Sequence, residues 1–214
     1  MTDLLNSLNA NSVVGVILAG GQSRRFGGGD KFLNKLNGKL LIEHVIDRVR
    51  SQIDHLIINS NSDAHSFENF GLSVVADSIQ GYAGPLAGIL SGMEWVQKNA
   101  SRCEWIVTFP SDAPFIPPDC VDKMRSCANK ESAEIVCAAS GGRTHPVCAL
   151  WQVELAGDLR KAMEDEEMRK IDLWTARHLI STVEFTDQPF DPFFNINRRQ
   201  DLERAEQISQ TLTR

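Results

Sequence analysis

At 214 residues, 42% of them hydrophobic and 23% charged, the chain is long enough to bury one sizeable core and short for two domains. A formal net charge of −6 argues against a nucleic-acid binder, which carries a basic excess. No apolar run is long enough to span a bilayer, and residues 1–12 lack the basic and apolar regions of a signal peptide.

Residues 1–12, rich in Asn and Ser, read as a flexible N-terminal tail ahead of one domain over 13–214. An apolar, β-branched run over 13–18 predicts a buried strand. After a glycine-rich stretch, 32–39 reads as an irregular hairpin turning at Asn37-Gly38. A helix at 41–51 would present Leu41, Val45, Ile46 and Val49 on one face. Strands follow at 55–59 and 73–76, with a short helix near 63–69 between them. The loop through Gly81, Gly84 and Pro85 cannot continue either neighbour, and a helix of about 86–98 begins after it. A fourth strand at 104–109 ends in Pro110-Ser111-Asp112-Ala113-Pro114, and a helix is expected at 118–129. Two consecutive strands, 134–139 and 146–151, break the alternation and predict a mixed edge. Helices at 153–164 and 168–178, a strand at 181–185 and a helix at 198–211 complete the chain. The acidic run 164–167 reads as solvated surface. Alternating strands and helices predict an α/β fold, a mainly parallel mixed sheet covered on both faces in three layers.

Five cysteines, Cys103, Cys120, Cys127, Cys137 and Cys148, show no C-x-x-C pairing, so neither a zinc site nor a dithiol motif is supported. Their odd number and apolar neighbours favour reduced thiols in a cytoplasm.

Chemistry concentrates where apolar runs end. Gly20, Asn59, Asp77 and Asp112 each follow a predicted strand, and in a parallel sheet such ends share one ligand-binding edge. The stretch after the first strand, Gly20-Gly21-Gln22-Ser23-Arg24-Arg25-Phe26-Gly27-Gly28-Gly29-Asp30-Lys31, joins backbone amides to cations and suits a triphosphate. It is neither a Walker A loop nor a G-x-G-x-x-G turn. Asp112 is a candidate Mg²⁺ ligand or a helix cap. Asp77 is a second ligand, an orienting group or a turn former. Asn59 is a nucleotide contact or a strand-end turn. Lys31 and Arg25 are the candidate electrostatic clamps, and Arg24 points elsewhere. No Ser-His-Asp or Cys-His nucleophile set stands out.

The pattern L-A-G-G-x-S-R-R-F-G-G-x-D-K over 18–31, G-x-x-G-P-L-x-G over 81–88, Arg143-Thr144-His145-Pro146 and Asn195-Ile196-Asn197 together resemble the molybdenum cofactor guanylyltransferases. These are nucleotidyltransferases with a Rossmann-like nucleotide-diphospho-sugar-transferase fold. The resemblance runs from about residue 13 to 200; Phe26 stands where methionine is common, and the glycine run before Asp30 is one longer. It implies transfer of GMP from GTP to the terminal phosphate of molybdopterin or its molybdenum-bearing form. Pyrophosphate leaves, and Mg²⁺ is the cofactor.

It also implies a division of the site. Leu18, Ala19, Gly20, Gly21, Lys31, Asn59, Asp77 and Asp112 fall on the GTP side, with Arg25, Lys31 and Asp112 catalytic and Asp112 on the metal. Gly81, Gly84, Pro85, Arg143, His145, Asn195 and Asn197 fall on the molybdopterin side. The bland reading of Asn195 and Asn197 is a loop capping the last helix, and of His145 a structural ring. The L-A-G-G form favours guanine over the L-A-A-G of related cytidylyltransferases. Expected partners are the two substrates, with transient contact to molybdopterin-handling proteins and molybdoenzymes, no nucleic acid, no membrane, and a monomeric state. Rival readings are a cytidylyl- or sugar-phosphate nucleotidylyltransferase, and a non-catalytic GTP-binding module that delivers cofactor.

Overall fold

The computed structural model describes residues 5, 7–20, 33–79, 81 and 84–212. Strand β1, Val13–Leu18, is buried along its whole length. It pairs in parallel with β4, His55–Asn59, on one side and with β6, Trp105–Pro110, on the other. Strand β5, Ser73–Val75, extends the sheet beyond β4. The full order is β5-β4-β1-β6-β8-β7-β9, with β7 at Ile135–Ser140, β8 at Arg143–Gln152 and β9 at Ile180–Phe185. A separate hairpin, β2 Lys35–Leu36 and β3 Lys39–Leu40, turns at Asn37 and Gly38. Both of these have positive φ, 51° and 81°, the backbone a tight two-residue turn requires.

Strand β8 corrects one expectation. It is antiparallel to both neighbours and lies inside the sheet, between β6 and β7, rather than at a mixed edge. The reason is in its side chains. Cys148 and Leu150 enter the core on one face while Ala149 and Trp151 enter it on the other, so the strand needs cover on both sides. Strand β9, by contrast, alternates between exposed and partly covered residues and forms the edge. Pairing of β7 with β8 shifts at Cys137/Ala138: Cys137 faces Ala149 but Ala138 faces His145. Pro146 has no N–H for the ladder and falls in the excluded stretch. The hydroxyl of Thr108 takes up the carbonyl of Val147 there at 2.8 Å and accepts the indole N–H of Trp151 at 2.9 Å.

Helices cover both faces. On one lie α1, Leu41–Val49, and α3, Cys120–Glu131; Ile42, Val45, Val49, Val121 and Met124 meet Ile17, Ile58 and Phe109 of the sheet. The side chain of Glu43 accepts the N–H of Leu40 at 2.7 Å and caps α1. On the other face lie α2, Pro85–Asn99, α4, Ala156–Asp165, and α5, Ile171–Thr175, whose Leu90, Met93, Leu159, Met163 and Trp174 meet Val14, Val16 and Trp151. Leu8, in the stretch expected to be a loose tail, is 5% exposed and packed into this second cluster. The last helix, α6, Arg199–Leu212, packs with β2 through a small third cluster of Leu36, Leu41, Phe115, Ile196 and Ala205.

Several element bounds differ from expectation. The helix expected at 168–178 is only α5, because i→i+3 bonds from Arg177 to Trp174 and from His178 to Thr175 tighten the chain before it enters β9. The one expected at 153–164 opens with a 3-10 turn, Val153–Leu155, and the short helix near 63–69 is a 3-10 segment, Ala64–Phe70. No described helix is long and apolar enough to cross a membrane.

Candidate active site

The parallel strands all end on one edge, and main-chain hydrogen bonds lace that edge together beyond the strand ends. Ser111 N–H donates to Leu18 O at 3.3 Å, Ala19 N–H to Asn59 O at 2.9 Å, and Ser60 N–H to Val75 O at 3.0 Å. Leu18, Ala19, Gly20, Asn59, Asp77 and Asp112 therefore stand side by side along the tops of β1, β4, β5 and β6. Gly21, Arg25 and Lys31 lie outside the described residues.

Asn59 is 4% exposed and works inward. Its amide donates to Val75 O at 3.1 Å and to Asp77 Oδ1 at 2.9 Å. Asn61, unmarked as a candidate in the sequence, donates to the other oxygen, Asp77 Oδ2, at 2.7 Å, and its own carbonyl oxygen accepts the N–H of Asp77 at 2.9 Å. Two amides thus fix the Asp77 carboxylate. Of its three readings, the orienting role fits this geometry better than the metal-ligand role, and the mutual bonds with Asn61 also make it part of a turn.

Helix α2 comes very close to this network. A Cβ on Gly88 would lie 2.3 Å from Asn59 Oδ1 and 2.8 Å from Leu18 Cδ2. A Cβ on Gly92, one turn on, would lie 2.8 Å from Val16. Gly88 and Gly92 form a bare stripe that lets α2 settle onto β1 and β4. The helix starts with Pro85 at its first turn, just after Gly84, whose φ of 145° is one that L side chains rarely adopt. Gly88, in its first two turns, is what brings the helix against the strand tops, and Gly81 ahead of it has φ 77°.

Asp112 is 7% exposed and follows β6 directly. Its main-chain oxygen accepts the N–H of Ile196 at 3.0 Å. That bond draws the C-terminal segment onto the strand-end carboxylate. Ile196 is fully buried, while Asn195 and Asn197 on either side of it are exposed, so both amides face outward from one extended strip. The turn into α6 is capped by Asp201, whose Oδ2 accepts the N–H groups of Asn197 and Arg198 at 2.8 Å, while the Asn197 side-chain amide donates to Asn195 O at 3.3 Å. The cap of the last helix is therefore supplied by Asp201, and Asn197 enters it only through its main-chain N–H.

The β7–β8 hairpin reaches the same edge. Arg143 is exposed and paired opposite Ser140. His145 turns inward, with side-chain exposure of 10%, and burial holds its pKa below the usual 6.5. Its Nε2 is 2.7 Å from Ser140 Oγ.

Among the described residues no group of three or more His, Cys, Asp or Glu side chains is arranged to hold a metal. A single buried carboxylate still fits Mg²⁺, which takes one or two carboxylates and completes its shell with water and substrate phosphates. Asp112, buried just past β6, is a residue that could serve as that carboxylate.

A family model described as a MobA-like NTP transferase domain matches residues 15–179. A protein named molybdenum cofactor guanylyltransferase from Rhodopseudomonas palustris (strain BisB5) is 45% identical over 194 residues, covering 91% of this chain and 92% of its own. One of the same name from Bradyrhizobium sp. (strain ORS 278) is 42% identical over 205 residues, covering 96% and 97%. The crystal structure of molybdopterin-guanine dinucleotide biosynthesis protein A from Archaeoglobus fulgidus has the same fold, with a TM-score of 0.72 at 24% identity over 93% of this chain and 99% of that one. On these matches the chain belongs to the MobA-like NTP transferases, as a member of the molybdenum cofactor guanylyltransferases.

Proposed function

We propose that the laced sheet edge joins GMP from GTP to the terminal phosphate of molybdopterin, with Mg²⁺ as the divalent cation and Asp112 as its protein ligand. The observation that carries this reading is the Ile196 N–H to Asp112 O bond of 3.0 Å, since it sets two exposed amides beside the carboxylate on which a metal-bound triphosphate would rest. The two substrate sides then meet where one phosphate can attack another.

On this reading Leu18, Ala19 and Gly20 offer backbone groups to the guanine, and Gly21 does the same from the loop that follows. Asn59 and Asp77 act together, because the Asn59 amide orients the carboxylate it touches. Lys31 and Arg25 counter the charge that builds on the leaving pyrophosphate. Gly81, Gly84 and Pro85 divide the two substrates, and Arg143, Asn195 and Asn197 hold the second. Mg²⁺, when bound, spreads the charge of the triphosphate and makes its α-phosphorus easier to attack. The protein supplies no nucleophile of its own; its work is alignment and charge neutralisation. A monomeric protein of the cytoplasm completes the proposal.

Pyrophosphate release tests it. Protein mixed with molybdopterin and Mg-GTP should release pyrophosphate, and CTP or ATP in place of GTP should give little. A site built to hydrogen-bond one base rejects others that leave its polar groups unpaired. Equal rates with CTP would move the assignment to a cytidylyltransferase. Tight GTP binding with no release would favour a delivery module.

A further inference from the structure

The segment 186–198 joins β9 to α6 and carries Asn195 and Asn197. Ile196 ties it down at one end. A second tie lies on Asp191, whose Oδ1 is 2.7 Å from Ser140 Oγ and 2.9 Å from the N–H of Phe193. Ser140, at the end of β7, is only 4% exposed. Its Oγ is also 2.7 Å from His145 Nε2, and the His145 ring lies 4.9 Å from that of Phe193, which is 3% exposed.

Proton counting orders this cluster. A hydroxyl has one proton, and an ionised carboxylate only accepts. Ser140 therefore donates to Asp191, and His145 Nε2 must carry a proton and donate to Ser140. Serine stands between the other two groups and gives its proton to the carboxylate. In a nucleophilic triad histidine stands in the middle and takes the serine proton. This cluster is built to hold a chain in place and does not activate Ser140.

We infer that Ser140, His145 and Asp191 form a latch that fixes the height of Asn195 and Asn197 over the Asp112 edge, making His145 and Asp191 positioning residues for the second substrate. The inference rests on the reading that assigns the two asparagines to molybdopterin. It changes the part assigned to His145, whose Nε2 is spent inside the protein and reaches the substrate through Asp191 and the strap.

Steady-state kinetics with Mg-GTP and molybdopterin, with melting temperatures alongside, test the latch. A glutamine amide nitrogen can stand where Nε2 does, and an asparagine nitrogen where Nδ1 does. His145→Gln should keep the molybdopterin KM within about threefold of the parent, while His145→Asn and Asp191→Ala should raise it about tenfold, or about 1.4 kcal/mol. GTP KM should stay nearly constant in all three. Asp191→Asn keeps an oxygen for Ser140 and Phe193 and should lie near the parent, which guards against a misfolded alanine variant. If His145→Asn outperforms His145→Gln, or Asp191→Ala shifts both KM values alike, the latch is wrong. A double Asn195→Ala, Asn197→Ala variant separates the two failures. A normal molybdopterin KM there overturns the assignment of the strap and the latch with it; a raised KM there beside a normal one in Asp191→Ala overturns the latch alone.

Discussion

Asp112 contributes to the protein through two different groups. Its main-chain oxygen holds Ile196, and on the proposed reading its carboxylate holds Mg²⁺. Asp112→Ala changes only the second, so the variant should keep the Ile196 bond and a melting temperature close to the parent while losing magnesium-dependent turnover. A rate within tenfold of the parent in a pyrophosphate assay would remove the carboxylate from the mechanism. His55 offers a different kind of test. Its ring stacks on Trp95 at 5.3 Å and 4°, its Nε2 is buried with no hydrogen-bond partner, and burial lowers its pKa from 6.5. The folded protein therefore binds this proton less readily than the unfolded chain. That contribution to stability is complete above about pH 6.5 and is lost as pH falls below it. His145 shifts in the same direction for the same reason. Thermal melts at pH 7.5 and pH 5.5 should show a drop for the parent and a smaller one for His55→Phe, which keeps the stack and cannot titrate. An equal drop in the variant would mean that other groups set the acid limb.

At the scale of elements, the bare stripe on α2 matters more than any of that helix's side chains. Gly88→Ala puts a methyl 2.3 Å from Asn59 Oδ1, a buried amide whose own bonds hold Asp77 and Val75. Relief requires the helix to lift or the amide to turn, at a cost of about 1–3 kcal/mol. We expect a lower denaturation midpoint and weaker GTP binding together in Gly88→Ala, read by urea melts and calorimetry. A stability loss without a change in GTP affinity would separate the helix from the nucleotide. Much of this was readable beforehand. The run 13–18, the polar residues that end the strands and the Gly-Pro helix start all carry local signals, and strand ends of a parallel sheet must share an edge. The close approach at Gly88 and Gly92 was hidden, since glycines four apart in a helix look the same whether they meet a strand or water. The place of β8 was misjudged for a comparable reason. Two consecutive strands predict a hairpin, but only the unbroken apolar stretch 147–151 signals cover on both faces. Asn61 and Asp191 lie outside every predicted strand and helix, and their roles depend on partners sixteen and fifty-one residues away in the chain.

For the whole molecule, the two large apolar clusters sandwich the sheet and shield most of the thiols. Cys103, Cys120, Cys137 and Cys148 are buried, Cys127 is partly open, and all five are free. Burial pushes the Cys137 thiol up to about 11, and Cys148 rises well above its usual value through its hydrogen bond with Cys120 and burial. In the native protein a thiol reagent should label Cys127 first, and the other four should react only after denaturant is added. Fast labelling of several thiols without denaturant would mean that the core opens far more readily than its packing implies.

The bond between Ile196 and Asp112 joins positions eighty-four residues apart, and it has a consequence for how the protein is made. During synthesis the strands that end at or just before Leu18, Asn59, Asp77 and Asp112 leave the ribosome well before the strip with the two asparagines, and domains begin folding as they emerge. The early strands can form their edge while the later segment is still unmade. On the proposed division of the site, two substrates can be joined only when the late segment folds back over the early carboxylate, so the growing chain gains the capacity to bind before it gains the capacity to react.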